Sequence, residues 1–416
     1  MTPPTGDPSP PFTDSPESST DSSPSSTDSP PSPPAGFDFL DRALAERGAA
    51  AFVHVGDRFD ADLRYLCGVA GYDGEAAFVS TGDRAVLSVP SPASGRADPA
   101  FGGEVRAHDL DASAGERASR ILSDLLDGTD GNTVLVPRHV PHDAAVYLRR
   151  TGHEVASTRA VARARAVKTG DELDRLRRAQ RAATRAMARA EAILAESTPE
   201  GDALVWNDDP LSAERLRRRA NETLAGRGAS DAGNTAVEVG GGGGFPGEGR
   251  DAGEERSADA AELSPGETVT VRLAPRGPHG YHGFLRRTFV VEGDGGWERR
   301  AHVAAEAALN AGLAHAKPGE SARTVREEVL AEVAAYGFDP DASVVGDAGH
   351  GVGLDRREAP RLTGESALEA GNVLAVTAGV DDPDEGRVLL SDLAAVTDEG
   401  CELLGEYPRS IVPRSR

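Results

Sequence analysis

His350 stands between Gly349 and Gly351, with Gly353 two residues on and Glu358-Ala359-Pro360 closing the stretch. An imidazole can ligate a divalent ion, pass a proton or donate a hydrogen bond near neutral pH. Three glycines in five positions leave little side-chain bulk, so the backbone can bend sharply and approach a ligand closely. His350 with Glu358 would make an acid–base pair, although no nucleophile motif or third group accompanies them. By itself a Gly-His-Gly loop is most often a tight turn. Elsewhere, His279 and His282 lie three apart; on a strand they face opposite sides, so a shared metal would need a bulge. The glycine run at 240–244 lacks the Gly-Lys-Ser/Thr ending of a phosphate loop, and 226–249 reads as a flexible loop.

The elements that must position these residues can be read from periodicity. Residues 1–36 are Ser, Thr, Pro and Asp with almost nothing apolar, which predicts a disordered tail. From Phe37 the pattern predicts a helix over 37–47, strands at 51–55, 76–80, 85–89 and 133–136, and helices over 113–126 and 141–150. Residues 63–72 read as a turn-rich join and 157–167 as a connector. Strands alternating with helices indicate an α/β domain over 37–160. Long helices over 171–196 and 212–225 follow, then strands 267–274 and 280–292, helices 298–315 and 320–336, and strands 372–378 and 387–396. This second region, 161–410, reads as α+β, with paired strands carrying helices on one side.

Composition narrows the class of partner. The net charge is −23, with 68 acidic against 45 basic residues. Lys168 and Lys317 are the only lysines. Acidic surplus, Arg in place of Lys and few aromatics predict a halophile's cytoplasmic protein, hydrated by carboxylates and screened by salt. The same balance argues against nucleic acid or an anionic membrane as partner. Cys67 and Cys401 are too few for a disulfide framework and read as buried thiols. No apolar run reaches membrane-spanning length.

Taken in order, four segments resemble a known family. They are Val167-Lys168-Thr169 before a long helix with Glu172; Gly280-Tyr281-His282-Gly283 with Arg287-Thr288-Phe289; the stretch from Gly349 to Pro360; and Ser391-Asp392-Leu393 leading to Val396-Thr397-Asp398-Glu399-Gly400. The chain resembles the pita-bread metallopeptidases, in the Xaa-Pro aminopeptidase and prolidase branch with a creatinase-like N-terminal domain. The resemblance implies an α/β N-terminal domain, an α+β pita-bread domain, a homodimer, and two divalent metals such as Mn, Co or Zn held by two Asp, one His and two Glu.

Placed on this sequence, those five ligands fall at Arg272, Phe284, His350, Ala378 and Ser391, so the metal site is degenerate and only the imidazole is kept. A substrate histidine of the family falls at Gly247 and another at Arg357, before Glu358. One imidazole cannot hold two hard or borderline ions, so no bound metal is expected. Val269, Val271 and Leu273 alternate with Thr270, Arg272 and Ala274, which turns Arg272 toward the cleft. Asp392, next to Ser391, should face away from it. Arg272 and Arg357 are expected to pair with Glu358 or Asp392, so that a fixed cation stands in for lost metal charge. The expectation is a pseudoenzyme whose cleft (Arg272, His282, Phe284, His350, Arg357, Glu358, Ala378, Ser391) takes a peptide or small carboxylate. The alternatives are an Xaa-Pro metallopeptidase with displaced ligands and a metal-free creatinase-like hydrolase.

Overall fold

The structure, a computed structural model, describes residues 37–68, 74–91, 101–108, 112–127, 132–240, 261–340 and 347–415. The tail expected over 1–36, and Gly247, lie outside the described residues.

The N-terminal region runs α1 (Asp38–Arg47), β1 (Ala51–Asp57), α2 (Ala61–Cys67), β2 (Glu75–Ser80), β3 (Ala85–Pro90), β4 (Glu104–His108), α3 (Ala114–Leu125), β5 (Thr133–Pro137), α4 (His142–Arg150) and β6 (Glu154–Thr158). Its strands form a mixed sheet in the order β4-β3-β2-β1-β5-β6, in which β1 is antiparallel to β2 but parallel to β5. β1 is buried on both faces, which is why its sequence reads as a nearly unbroken apolar run. Val53 and Val55 pack on α3 and α4, while Phe52 faces Leu40 and joins a core that continues into the C-terminal region through Leu176, Phe284 and Leu393.

Two expected connectors are in fact helical. The join expected at 63–72 begins with α2, because the Asp60 side chain accepts from the Leu63 N–H and caps it. Within 157–167 lies α5 (Ala160–Ala166), an Ala- and Arg-rich turn of good helix formers. The 27-residue α6 (Gly170–Glu196) then starts from a capping box between Thr169 and Glu172.

A short three-stranded sheet, β7 (Thr198–Glu200), β8 (Ala203–Trp206) and β9 (Asp209–Pro210), leads to α7 (Ala213–Ala225) and β10 (Ala236–Val239). β10 occupies part of the stretch expected to be loop; Ala236 and Val237 are buried and its backbone pairs with the next strand. The remaining elements are β11 (Thr268–Leu273), β12 (Leu285–Val290), α8 (Trp297–His315), α9 (Ala322–Ala335), β13 (Gly349–Gly351), β14 (Glu358–Arg361), β15 (Val373–Asp382), β16 (Gly386–Thr397) and β17 (Gly400–Leu403). The large sheet runs β10-β11-β12-β16-β15-β13-β14, with β17 on β16. One of its faces is apolar and covered, by α6 and α7 over β11 and β12 and by α8 and α9 over β15 and β16.

The Gly-His-Gly stretch is therefore a strand rather than a loop. Its glycines make room for neighbouring backbone: a Cβ on Gly351 would sit 2.2 Å from the Ala359 carbonyl oxygen. Among the described residues no helix is long and apolar enough to cross a membrane. Cys67 is buried as expected, whereas Cys401 is half-buried.

Candidate functional site

Directly opposed residues of antiparallel strands project from the same face of a sheet. Arg272 of β11 opposes Arg286 of β12, Arg286 opposes Ser391 of β16, and Ser391 opposes Thr377 of β15. Two residues before Thr377, Ala375 opposes His350 of β13. These residues thus form a row across the face opposite the helices. Side-chain contacts agree: the Thr377 and Ser391 hydroxyls are 2.7 Å apart. The Phe284 ring meets the His350 ring edge-on at 5.2 Å, and Arg286 lies 5.9 Å from the Phe284 centroid.

Of the positions carried over from the resemblance, Arg272, Phe284, His350 and Ser391 lie together on this face. Ala378 does not. It opposes Leu390 and packs among Val376, Val380 and Val388 on the helix side, so Thr377 takes its place in the row. A one-residue shift on a strand exchanges the two faces. Arg286 joins the row, a residue that no family position marks but that follows Phe284 at the period of two a strand imposes.

The face is cationic. Burial pushes the Arg286 guanidinium down to about 9, aided by the positive charge of Arg272 opposite and of Arg387 and Arg356. Burial, then Arg357, Arg356 and Arg286, push His350 down to about 3. A neutral imidazole results. Its Nδ1–H donates to the Gly351 carbonyl at 3.0 Å, which leaves Nε2 as an acceptor. The acids further along this face, Glu238 and Asp381, are bridged by Arg387 at 3.1 and 2.7 Å.

The expected ion pairs are replaced by others. Glu358 is held by Lys168 at 2.5 Å and Arg165 at 2.6 Å. Despite its burial, those cations keep its carboxyl below the usual range. It does not form the expected acid–base pair, since its oxygens and His350 Nδ1 have separate partners. Asp392 faces the helix side as expected, where it takes Arg287 at 2.6 Å and Arg409 at 2.5 Å. Arg357 reaches Asp347 at 3.0 Å. His282 sits against the turn after β13, its Nδ1 3.3 Å from the Gly353 carbonyl, and burial pushes its pKa down to about 4.

The donor set can be tested against a pair of divalent ions. At the five places stand a guanidinium, a phenyl ring, an imidazole and two mutually bonded hydroxyls. Such ions require several carboxylates or imidazoles, and a fixed guanidinium repels them. These residues do not fit a dinuclear centre.

Residues 174–398 match metallopeptidase family M24. The chain is 27% identical over 160 residues to an Xaa-Pro dipeptidase of Pyrococcus furiosus, a stretch covering 37% of this chain and 44% of that protein. Its fold superposes on the prolidase of Pyrococcus furiosus with a TM-score of 0.74 at 19% identity, covering 88% of this chain and 99% of that one. An Xaa-Pro dipeptidase from Bacillus anthracis gives 0.77 at 19% identity, with 90% and 98% covered. The α/β region followed by an α+β pita-bread domain is the architecture of these proteins, and the chain belongs to metallopeptidase family M24.

Proposed function

We propose that this chain uses its cleft to bind an anionic group, the carboxylate of a peptide or small acid, and does not carry out dinuclear metal hydrolysis. The observation that carries this reading is the cross-strand opposition of Arg272 and Arg286, both buried, on the face where the family's acids would stand. Guanidinium groups bind carboxylates through paired hydrogen bonds, and this pair presents two of them on one face of the sheet. Ser391, Thr377 and neutral His350 add uncharged donors and acceptors beside them. The Pyrococcus relative is an Xaa-Pro dipeptidase, which favours a ligand of dipeptide size with a free carboxylate. A peptidase with displaced ligands is opposed by Arg387, which engages both Glu238 and Asp381.

The test is calorimetric titration with Xaa-Pro dipeptides and their amide-capped counterparts in molar KCl, using wild type, Arg272→Ala and Arg286→Ala. The free carboxylates should bind wild type at least about tenfold more tightly than either variant. Equal binding removes the pocket. Hydrolysis with added Mn, Co or Zn that disappears in His350→Ala would restore the peptidase.

A further inference from the structure

Away from the cleft, four side chains with metal-binding atoms meet at the carboxyl ends of β1 and β5. His54 lies in β1, Asp60 and Asp62 at the start of α2, and His139 just after β5. His139 Nε2 is 3.5 Å from Asp60 Oδ2 and 3.6 Å from Asp62 Oδ2. His54 Nε2 is 2.8 Å from Asp60 Oδ1. Ligand atoms of His54, Asp62 and His139 all fall within 4.8 Å of one another. Two atoms bound to one zinc-class ion at tetrahedral angles stand about 3.4 Å apart. The spacings around His139 are thus those of ligands sharing an ion, longer than good hydrogen bonds.

Topology gives a second reason. Connections from β1 lead to β2 on one side while β5 and β6 lie on the other, so the sheet changes direction between its parallel neighbours β1 and β5. The crevice beyond the carboxyl ends of strands at such a switch is where open α/β sheets bind ligands. A cavity of about 460 Å³ opens there, lined by Asp62, His139, Thr158, Arg165 and Glu358 among others.

Charge gives a third. Arg165 takes Asp62 Oδ1 at 2.6 Å, leaving Oδ2 for the His139 side. In this network Asp60, Asp62, Glu358 and the more exposed Asp355 face the cations Arg165 and Lys168 and the imidazoles of His54 and His139. A divalent ion held by the two imidazoles in their neutral form would supply the positive charge these acids favour. His54 is fully buried, and its Nδ1 has no hydrogen-bond partner among the described residues. His139 is half-exposed and gives the ion a way in.

The geometry points to a single divalent-cation site of the zinc class, built by His54, Asp62 and His139 with Asp60 beside them. The ion clips β1 to β5 and, through Asp62, Arg165 and Glu358, ties the N-terminal sheet to β14. It stands independently of the ligand proposed for the cleft.

The test uses the full-length, tag-free chain in molar KCl, with Zn²⁺ content after dialysis and Co²⁺ absorption as readouts. One ion per chain is expected, with the visible bands of a low-coordinate Co²⁺ site. His139→Ala, at a half-exposed position, should weaken Zn²⁺ binding at least about tenfold while the chain stays folded. His350→Ala should leave it unchanged. Equal affinity in wild type and His139→Ala overturns the site, as does loss of binding in His350→Ala or a folded wild type that takes up no Zn²⁺ at millimolar concentration.

Discussion

Thr377 Oγ1 and Ser391 Oγ lie 2.7 Å apart across β15 and β16, and this bond marks which side of each strand belongs to the cleft. With Ser391 opposing Arg286, the same face holds two arginines and two hydroxyls. The neighbouring residues, Ala378 and Leu390, belong to the apolar layer under α8 and α9.

That register can be tested by moving one carboxylate by one residue. Ala378→Glu would bury an unpaired charge among valines and leucines and cost on the order of 3 kcal/mol or more. Thr377→Glu would face Arg286 and Arg272, and the expected loss is smaller by at least about 1 kcal/mol. Denaturant unfolding in molar KCl decides; equal losses would show that the two faces are misassigned.

Asp392 is gripped by Arg287 and Arg409, with Arg287 fully buried. Removing the acid strands a guanidinium in the interior. Asp392→Ala is expected to cost about 3–5 kcal/mol, whereas trimming the exposed pair with Glu365→Ala should change stability by less than about 1 kcal/mol. Comparable midpoints for the two variants would contradict the assignment.

Close packing of β13 predicts a glycine effect. Gly351→Ala would drive a methyl group against the Ala359 backbone, while a Cβ on Gly170 at the start of α6 meets nothing within 4 Å. The first should lose several kcal/mol by overpacking; the second should stay within about 1 kcal/mol of wild type. Thermal unfolding of the pair measures the difference.

Acid should weaken the fold through its buried imidazoles. His282, pushed down to about 4, and His302, also lowered by burial, are neutral in the folded chain. Their folded pKa values lie below the unfolded value near 6.5, so the unfolded chain binds more protons as pH falls below 6.5. Stability contributed by the neutral forms is therefore present above about pH 6.5 and drains away toward pH 4, by up to about 2–3 kcal/mol for His282. The slope of unfolding free energy against pH between 6.5 and 4 should be shallower in His282→Gln. An unchanged slope would refute the assignment.

Sequence by itself determined the longer helices and the long strands of both regions, the side of β11 that carries Arg272, and the opposite facing of Ser391 and Asp392. Each follows from periods of 3.6 or 2 that repeat along one segment. Only the tertiary structure decided that Thr377 rather than Ala378 faces Ser391, since register depends on which residues of two strands come opposite. It also decided that Lys168 and Arg165, not Arg272 or Arg357, hold Glu358. The three residues of β13 are too few to show a period, and their strand character comes from β14 and β15 on either side. His54, Asp62 and His139 were invisible as a set for the same reason: parallel pairing of β1 and β5 joins positions that the chain keeps far apart.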